Sequence, residues 1–108
     1  MRLIIKLLLS ATVVGTLTYA DDLAEGKKVF ETYCWGCHHQ TAVAFGPSFS
    51  QMAAKRTKQE IEAYIIEPKA MYKAFGHKRS VMPVLDLNEK ERELVADYII
   101  SYKPKGDK

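Results

Sequence analysis

The two cysteines of this chain, Cys34 and Cys37, are separated by only two residues and are followed at once by His38. A disulfide between them would close too small a loop to stabilise a fold. A zinc site would need two further ligands at matched spacing, but the other histidines are the adjacent His39 and the distant His77. A thioredoxin-like dithiol would need a parallel sheet, and no run of β-branched residues indicates one. A disulfide, a zinc site and a redox dithiol are therefore all weak interpretations of the cysteine pair.

The C-x-x-C-H arrangement is typical of covalent haem attachment. Two intervening residues put the sulfurs of Cys34 and Cys37 on one side of a helical turn, where each can form a thioether to a haem vinyl group. The imidazole of His38 then faces the porphyrin centre as an iron ligand. We expect His39 to face solvent or to bond locally, because a side chain next to the proximal histidine cannot easily reach the same iron. We expect Trp35 to cover part of the cofactor or to pack on a neighbouring helix.

The first 20 residues predict a secretory signal peptide. Arg2 and Lys6 precede an apolar run over residues 7–17, and small residues precede a cleavage point after Ala20. That run is 11 residues long, whereas a bilayer-spanning helix needs about 20, so an uncleaved anchor is the weaker interpretation. We therefore expect a signal peptide at 1–20 and one periplasmic domain at 21–108, secreted across the inner membrane and not inserted in it. A domain this small often needs a cofactor to supplement its core.

Apolar residues at helical intervals predict an all-α fold of three to five helices wrapped around one haem c. The first helix leads into the haem site, with Leu23, Gly26, Phe30 and Tyr33 on one face and two aspartates at its N-terminus. No period-two apolar run is long enough for a sheet. Loops should therefore form the walls of the cofactor site.

Two further helices are indicated by capping boxes. Thr57 with Glu60 begins one of them, with a buried stripe at Ile61, Tyr64 and Ile65, and Pro68 ends it. Asn88 with Glu91 begins the last and strongest helix. Its apolar face comprises Leu94, Val95, Tyr98, Ile99 and Tyr102. A short helical turn is also predicted over residues 69–75.

Together these residues resemble the small monohaem bacterial cytochromes c of class I, which have the mitochondrial-like fold. Gly26 and Phe30 resemble the first-helix pair that packs against an aromatic residue of the last helix, here Tyr98. Gly46-Pro47 resembles the turn that follows the attachment motif, and residues 82–83 resemble the loop that carries the distal ligand. The resemblance implies that the N- and C-terminal helices pack against each other. It also implies that the Pro47 carbonyl accepts the second ring N–H of His38, a bond that fixes the tautomer and the ring plane.

The sixth iron ligand has several candidates, since a thioether or a neutral imidazole can each complete the iron. These are Met52, Met71, Met82, His39 and His77. A lone methionine is usually core filler. Met82 stands apart because it lies in a loop stiffened by Pro83 and follows His38 by 44 residues, which leaves room for the chain to cross the haem. We therefore predict Met82 as the ligand, with His77 next and an open site last.

Two tightly held ligands leave no vacant position for a substrate, and a thioether raises the potential because it donates weakly and favours ferrous iron. The sequence thus predicts a one-electron carrier rather than an enzyme, passing electrons from a membrane quinol-oxidising complex to an oxidase or a periplasmic reductase. One alternative is a haem-bearing electron-transfer subunit of a periplasmic multi-subunit oxidoreductase. The other is a gas-binding haem sensor, should Met82 not bind the iron.

Charge adds a hypothesis about partners. Residues 40–82 contain seven basic side chains against three acidic ones. We expect Lys73, Lys78 and Arg79 to surround the exposed haem edge and to steer an acidic redox protein. A solvated mixed surface is the alternative interpretation. The mature chain should be a monomer with no nucleic-acid partner.

Overall fold

The computed structural model describes residues 19–104, and over that range the chain is all-helical, with five helices and no β-strand. Helix α1 covers residues 19–33. It is followed by α2 (Phe49–Lys55), α3 (Lys58–Ile66), α4 (Pro68–Met71) and α5 (Glu89–Ile100). The predicted all-α class is therefore confirmed. The predicted signal peptide lies, apart from its last two residues, outside the described range. Among the described helices, none has the length and apolar character needed to cross a membrane.

Helix α1 departs from prediction at both ends. Residues 19 and 20 are already helical, so the aspartates at 21 and 22 lie within the described helix instead of at its start. Near the other end Tyr33, predicted to be on the buried face, is 40% exposed, and Val29 takes the buried position instead. Gly26 and Phe30 are buried as predicted.

Helices α3 and α5 begin at the predicted capping boxes. The Thr57 hydroxyl accepts from the Glu60 backbone N–H at 3.1 Å, and the Glu60 carboxylate accepts from the Thr57 N–H at 2.9 Å. Asn88 and Glu91 make the same reciprocal pair at 2.8 and 3.1 Å. Each box satisfies backbone donors that the first helical turn leaves without partners, which fixes where the helix begins.

Helix α2 is the one helix that the sequence prediction missed. It begins with a third capping box, in which the Ser48 hydroxyl accepts from the Gln51 N–H at 3.2 Å and the Gln51 amide oxygen accepts from the Ser48 N–H at 3.0 Å. The S-x-x-Q pattern is visible in the sequence. Helix α2 places Phe49 in the core, where its side chain is only 1% exposed.

Pro68 ends α3 and begins α4. Ile61 and Ile65 are buried on α3, but Tyr64, which was predicted to be buried with them, is only half-buried. Pro68 occupies the first turn of α4, where its missing N–H has no intrahelical acceptor to lose. Helix α4 therefore begins one residue earlier than the predicted helical turn over residues 69–75 and is shorter. Non-helical turns follow Met71.

The core lies where α1, α2 and α3 meet α5. The ring of Phe49 packs edge-on against Phe30, with centroids 4.7 Å apart, and lies 5.9 Å from the ring of Tyr98. Val95 beside them is fully buried. An ideal Cβ built on Gly26 would overlap the carbonyl oxygen of Leu94, so α1 and α5 cross almost backbone to backbone. The predicted packing of the N- and C-terminal helices is therefore present.

Helix α5 ends at Ile100, earlier than the predicted apolar face that extended to Tyr102. Tyr102 lies in the following turn and is half-buried. The Tyr102 hydroxyl is 3.1 Å from the hydroxyl of Tyr98. This hydrogen bond is the larger of the two main effects that raise the pKa of Tyr102 to about 12, and burial is the smaller one.

Candidate haem site

The attachment motif forms a tight turn that continues directly from α1. The Cys34 N–H donates to the Phe30 carbonyl at 2.8 Å, which adds one more helical bond after residue 33. The N–H groups of Cys37 and His38 then both donate to the Cys34 carbonyl, at 3.1 and 3.0 Å. The helix thus presents both thiols and the imidazole within a single turn. Both cysteines are free thiols, so their sulfurs are available for other bonds.

The two thiols have different surroundings. Cys34 is half-buried and packs against the hydrophobic core, whereas Cys37 is exposed. Burial disfavours the thiolate and, with a smaller contribution from the neighbouring Cys37, raises the pKa of Cys34 to about 11. At neutral pH the Cys34 sulfur is therefore a protonated thiol.

The imidazole of His38 is held by the turn at residues 46–47. Its Nδ1 lies 2.8 Å from the carbonyl oxygen of Pro47. Because a carbonyl only accepts, Nδ1 carries the ring hydrogen and Nε2 is left with a free lone pair. An ideal Cβ built on Gly46 would overlap Cε1 of His38 and lie 2.8 Å from its Nδ1, which is closer than a side chain can approach. Glycine is therefore required at position 46 to let the loop approach the imidazole.

Phe49 connects the imidazole to the core, and the sequence prediction did not identify it. Its ring centroid lies 6.3 Å from that of His38, while its other contacts are with the aromatic residues of α1 and α5. The capping box at Ser48 and Gln51 could have predicted the helix that begins with Phe49, but not that its ring faces His38 and the core.

Met82 lies in the loop between α4 and α5, where its side chain is half-buried and packs against the hydrophobic core. Met52 packs against the same core from α2, and Met71 is the last residue of α4. His77 is exposed and packs edge-on against the ring of Tyr64, with centroids 5.8 Å apart. The predicted preference for Met82 over His77 stays a prediction.

Arg56 connects Phe75, in the segment that precedes Met82, with Glu60 in the first turn of α3. Its Nη2 donates to the Phe75 carbonyl at 3.0 Å, and its guanidinium carbon lies 4.0 Å from the centroid of the Phe75 ring. A second guanidinium nitrogen lies 3.7 Å from the Glu60 carboxylate. The planar, multiply donating guanidinium group suits this combination of stacking and hydrogen bonding.

Comparison with known families agrees with this geometry. The family model described as cytochrome c matches residues 23–103, which include the attachment turn, all of α2–α5 and the Met82 loop. The chain belongs to the cytochrome c family. No curated protein and no solved structure matches the chain. As a cytochrome c it is a haem-based electron carrier with covalently attached haem c, and its small size fits a single haem.

The residues of this cytochrome c fit such a cofactor. Phe45 and Val43, in the loop after the attachment turn, are 77% and 68% exposed. Val84 and Val81, on either side of Met82, are 62% and 56% exposed. These four exposed apolar side chains lie in the two loops that carry Pro47 and Met82. A large flat apolar cofactor would cover them.

Trp35 buries little of its side chain against the neighbouring helix. Its side chain is 62% exposed on the attachment turn of the cytochrome c. Together with Lys27, Glu31 and Gln40 it lines a shallow open groove of about 230 Å³ beside α1. The first of the two expectations for this residue, that it covers part of the haem, stays a prediction.

Proposed function

We propose that this chain is a periplasmic one-electron carrier in which Cys34 and Cys37 hold haem c and His38 and Met82 bind its iron. The observation that carries the proposal is the 2.8 Å contact from His38 Nδ1 to the Pro47 carbonyl. That contact leaves Nε2 as the free nitrogen, beside two thiols that are not bonded to each other. An imidazole held in this way, with its N–H given to a carbonyl, is the usual state of a histidine that binds a metal.

Haem c supplies an iron that cycles between the ferric and ferrous states. The protein groups hold that iron and control access to it. His38 donates one lone pair, and its bond to Pro47 raises the basicity of the ring. The Met82 thioether is a weak donor that favours the ferrous state, and it fills the position at which a small molecule would otherwise bind. The chain therefore transfers electrons and excludes substrates.

Replacing Met82 with leucine tests the sixth ligand. Leucine keeps the apolar volume but has no sulfur, so we expect the ferric protein to lose its methionine-sulfur charge-transfer band and the ferrous protein to bind carbon monoxide. Met52→Leu is the matched control, because Met52 is also half-buried against the core. A band that survives in Met82→Leu, or that is lost only in Met52→Leu, would show that a different methionine is the ligand. An unsubstituted protein that lacks the band would show that no methionine binds the iron, and His77→Ala would then test His77.

The periplasmic location is supported by the two positive charges and the apolar run that precede Ala20. The haem-loaded protein should be found in the periplasmic fraction, and its N-terminal sequence should begin at Asp21. A mature protein that retains Met1, or one that remains with the cytoplasm, would contradict this part of the proposal.

The docking hypothesis rests on three exposed basic side chains in the segment between α4 and α5, which also carries Met82. Within residues 19–104, Lys73, Lys78 and Arg79 make no ion pair, whereas Lys58 is 3.0 Å from the Asp97 carboxylate. Positive charge that is not neutralised within the protein can attract an acidic partner and increase its association rate. We propose that these three residues form the docking surface for the redox partner.

Charge reversal tests the docking surface. The oxidant hexacyanoferrate(III) is a small anion that can stand in for an acidic partner. We expect Lys78→Glu with Arg79→Glu to slow its reaction with the ferrous protein about tenfold at low salt, and much less at high salt. The control pair Lys27→Glu with Lys28→Glu changes the net charge equally but lies on α1. Equal slowing by both pairs would mean that only net charge matters.

A second candidate function is favoured by the exposure of Trp35 on the attachment turn. A large aromatic side chain left in solvent suits an electron-transfer subunit that docks permanently against a larger enzyme. A subunit should be isolated from the native periplasm in a stable complex. A carrier should be isolated alone and sediment as a monomer after haem attachment.

A further inference from the structure

His39, the residue after the proposed iron ligand, makes two hydrogen bonds that the chemistry of haem attachment does not require. Its Nδ1 accepts from the backbone N–H of Thr41 at 3.1 Å and from that of Ala42 at 3.0 Å. Because Nδ1 accepts both bonds, it carries no hydrogen, and the neutral ring is protonated on Nε2. The side chain is exposed, so these bonds do not result from packing in the core. They fold the first residues of the loop back over His39.

This loop carries the groups that orient His38. At the start of the loop, the His39 side chain holds the next two N–H groups, and the Gln40 carbonyl accepts from the Ser50 N–H at 3.1 Å. At the end of the loop, the Phe49 N–H donates to the His39 carbonyl at 3.1 Å. Between these points the Gly46 N–H donates to the Cys37 carbonyl at 2.7 Å. The next residue is Pro47, whose carbonyl receives the His38 ring hydrogen. The position of that carbonyl therefore depends on how firmly both ends of the loop are held.

The end at Phe49 is held by α2 and by the buried ring of Phe49. At the other end, residues 41–45 are all exposed and bury no side chain in the core. Among the described hydrogen bonds, the N–H groups of Thr41 and Ala42 are held by the imidazole of His39 and by no backbone carbonyl. His39 thus holds the first two N–H groups of this half of the loop, while the Ala44 N–H donates to the Gly46 carbonyl at 3.2 Å and the haem would cover Val43 and Phe45.

We propose that His39 is a positioning residue for the proximal ligand: by fixing the turn at Thr41 and Ala42 it keeps the Pro47 carbonyl against His38 and so lowers the reduction potential. The inference rests on the proposed role of His38 as an iron ligand. A short N–H···O bond from His38 Nδ1 makes the ring a stronger donor, which favours ferric iron. A looser loop lengthens that bond on average and weakens the donor. The potential then rises.

The chain offers a matched pair of substitutions at this position. In histidine, Nδ1 is attached to Cγ, and in asparagine the amide oxygen is attached to the same carbon. His39→Asn therefore keeps an acceptor where the two N–H groups need it, as in an Asx turn. His39→Leu has a similar branched shape but no acceptor. Since both new side chains are uncharged, the comparison between the two variants involves no change in charge.

The experiment uses the haem-loaded protein and three readouts. In His39→Leu we expect the reduction potential to rise, the His38 ring hydrogen to exchange faster, and the Thr41 and Ala42 amides to exchange roughly tenfold faster than in the unsubstituted protein. We expect His39→Asn to restore all three. A His39→Leu variant with an unchanged potential and unchanged His38 ring exchange would overturn the proposal, as would a His39→Asn variant that behaves like His39→Leu.

The optical spectrum distinguishes a failure of the role proposed for His39 from a failure of the proposed function. If the methionine-sulfur band is present in all three proteins while the potentials are equal, only the role of His39 is wrong. If the unsubstituted protein lacks His38 as an iron ligand, the proposed ligand set is wrong and the role of His39 is overturned with it.

Discussion

The close crossing of α1 and α5 gives the sharpest prediction for stability, at Gly26. An added Cβ would lie 2.8 Å from the Cβ of Tyr98 and would overlap the Leu94 carbonyl oxygen. Carbon atoms in contact prefer separations of about 3.5–4.0 Å, so Gly26→Ala would push the two helices apart by roughly 1 Å. The backbone carbonyl of Leu94 lies within α5 and cannot rotate away without breaking a helical hydrogen bond.

The magnitude follows from two opposing effects of the methyl group. Overpacking of this kind costs about 3 kcal/mol, towards the upper end of the usual range, because the obstacle is backbone. Alanine favours a helix over glycine by about 1 kcal/mol, which offsets part of that cost. We therefore expect Gly26→Ala to lower the free energy of unfolding by about 2 kcal/mol.

Guanidinium unfolding of the haem-loaded protein, followed by circular dichroism, measures this change. With a denaturant slope of about 3 kcal/mol per molar, the midpoint should fall by roughly 0.7 M. Gly36→Ala is the matched control, because an ideal Cβ there meets no protein atom within 4 Å. A Gly26→Ala protein as stable as the unsubstituted one, or more stable, would refute the close crossing.

Three further substitutions test single contacts. Asn88→Ala removes the cap of α5 and should lower the free energy of unfolding by about 1 kcal/mol, with Asn88→Asp as the conservative control. Arg56→Lys loses the planar stack on Phe75 and its carbonyl bond while keeping the charge, so we expect a loss of about 1–2 kcal/mol by thermal unfolding; an unchanged melting temperature would contradict it. Because the hydrogen bond to Tyr98 and burial raise the pKa of Tyr102 to about 12, the native protein keeps a proton that the unfolded chain loses near pH 10. Stability should therefore fall between about pH 10 and pH 12, and Tyr102→Phe should reduce that fall when unfolding is measured across this range.

Local signals in the sequence predicted much of the helical framework. A capping box needs only two side chains three residues apart, so Thr57 with Glu60 and Asn88 with Glu91 could be identified without knowing the fold. The pattern at Ser48 was equally local and predicts α2 by the same rule. That helix was overlooked because it has only seven residues and lacks a long apolar period.

The positions of single side chains were less predictable. Tyr33 has the helical spacing of a core residue but is exposed, because α1 is near its C-terminal end there and the chain turns into the attachment motif. Tyr64 has the spacing of the buried residues on α3 but faces the loop after α4, where it packs on Phe75 at 5.0 Å. Periodicity identifies a face of a helix, and only the neighbouring helices and loops decide how far along that face burial extends.

For the haem site, the sequence by itself determined the chemistry: two thiols and an imidazole are adjacent in the chain, so no fold is needed to bring them together. Only the tertiary structure decided how that imidazole is held, because the Pro47 carbonyl reaches His38 through a loop whose path depends on Gly46, on the hydrogen bonds of His39 and on the anchoring of Phe49 in the core. Contacts between neighbours in sequence can be predicted from covalent geometry. Contacts across a loop require every restraint on that loop to be known.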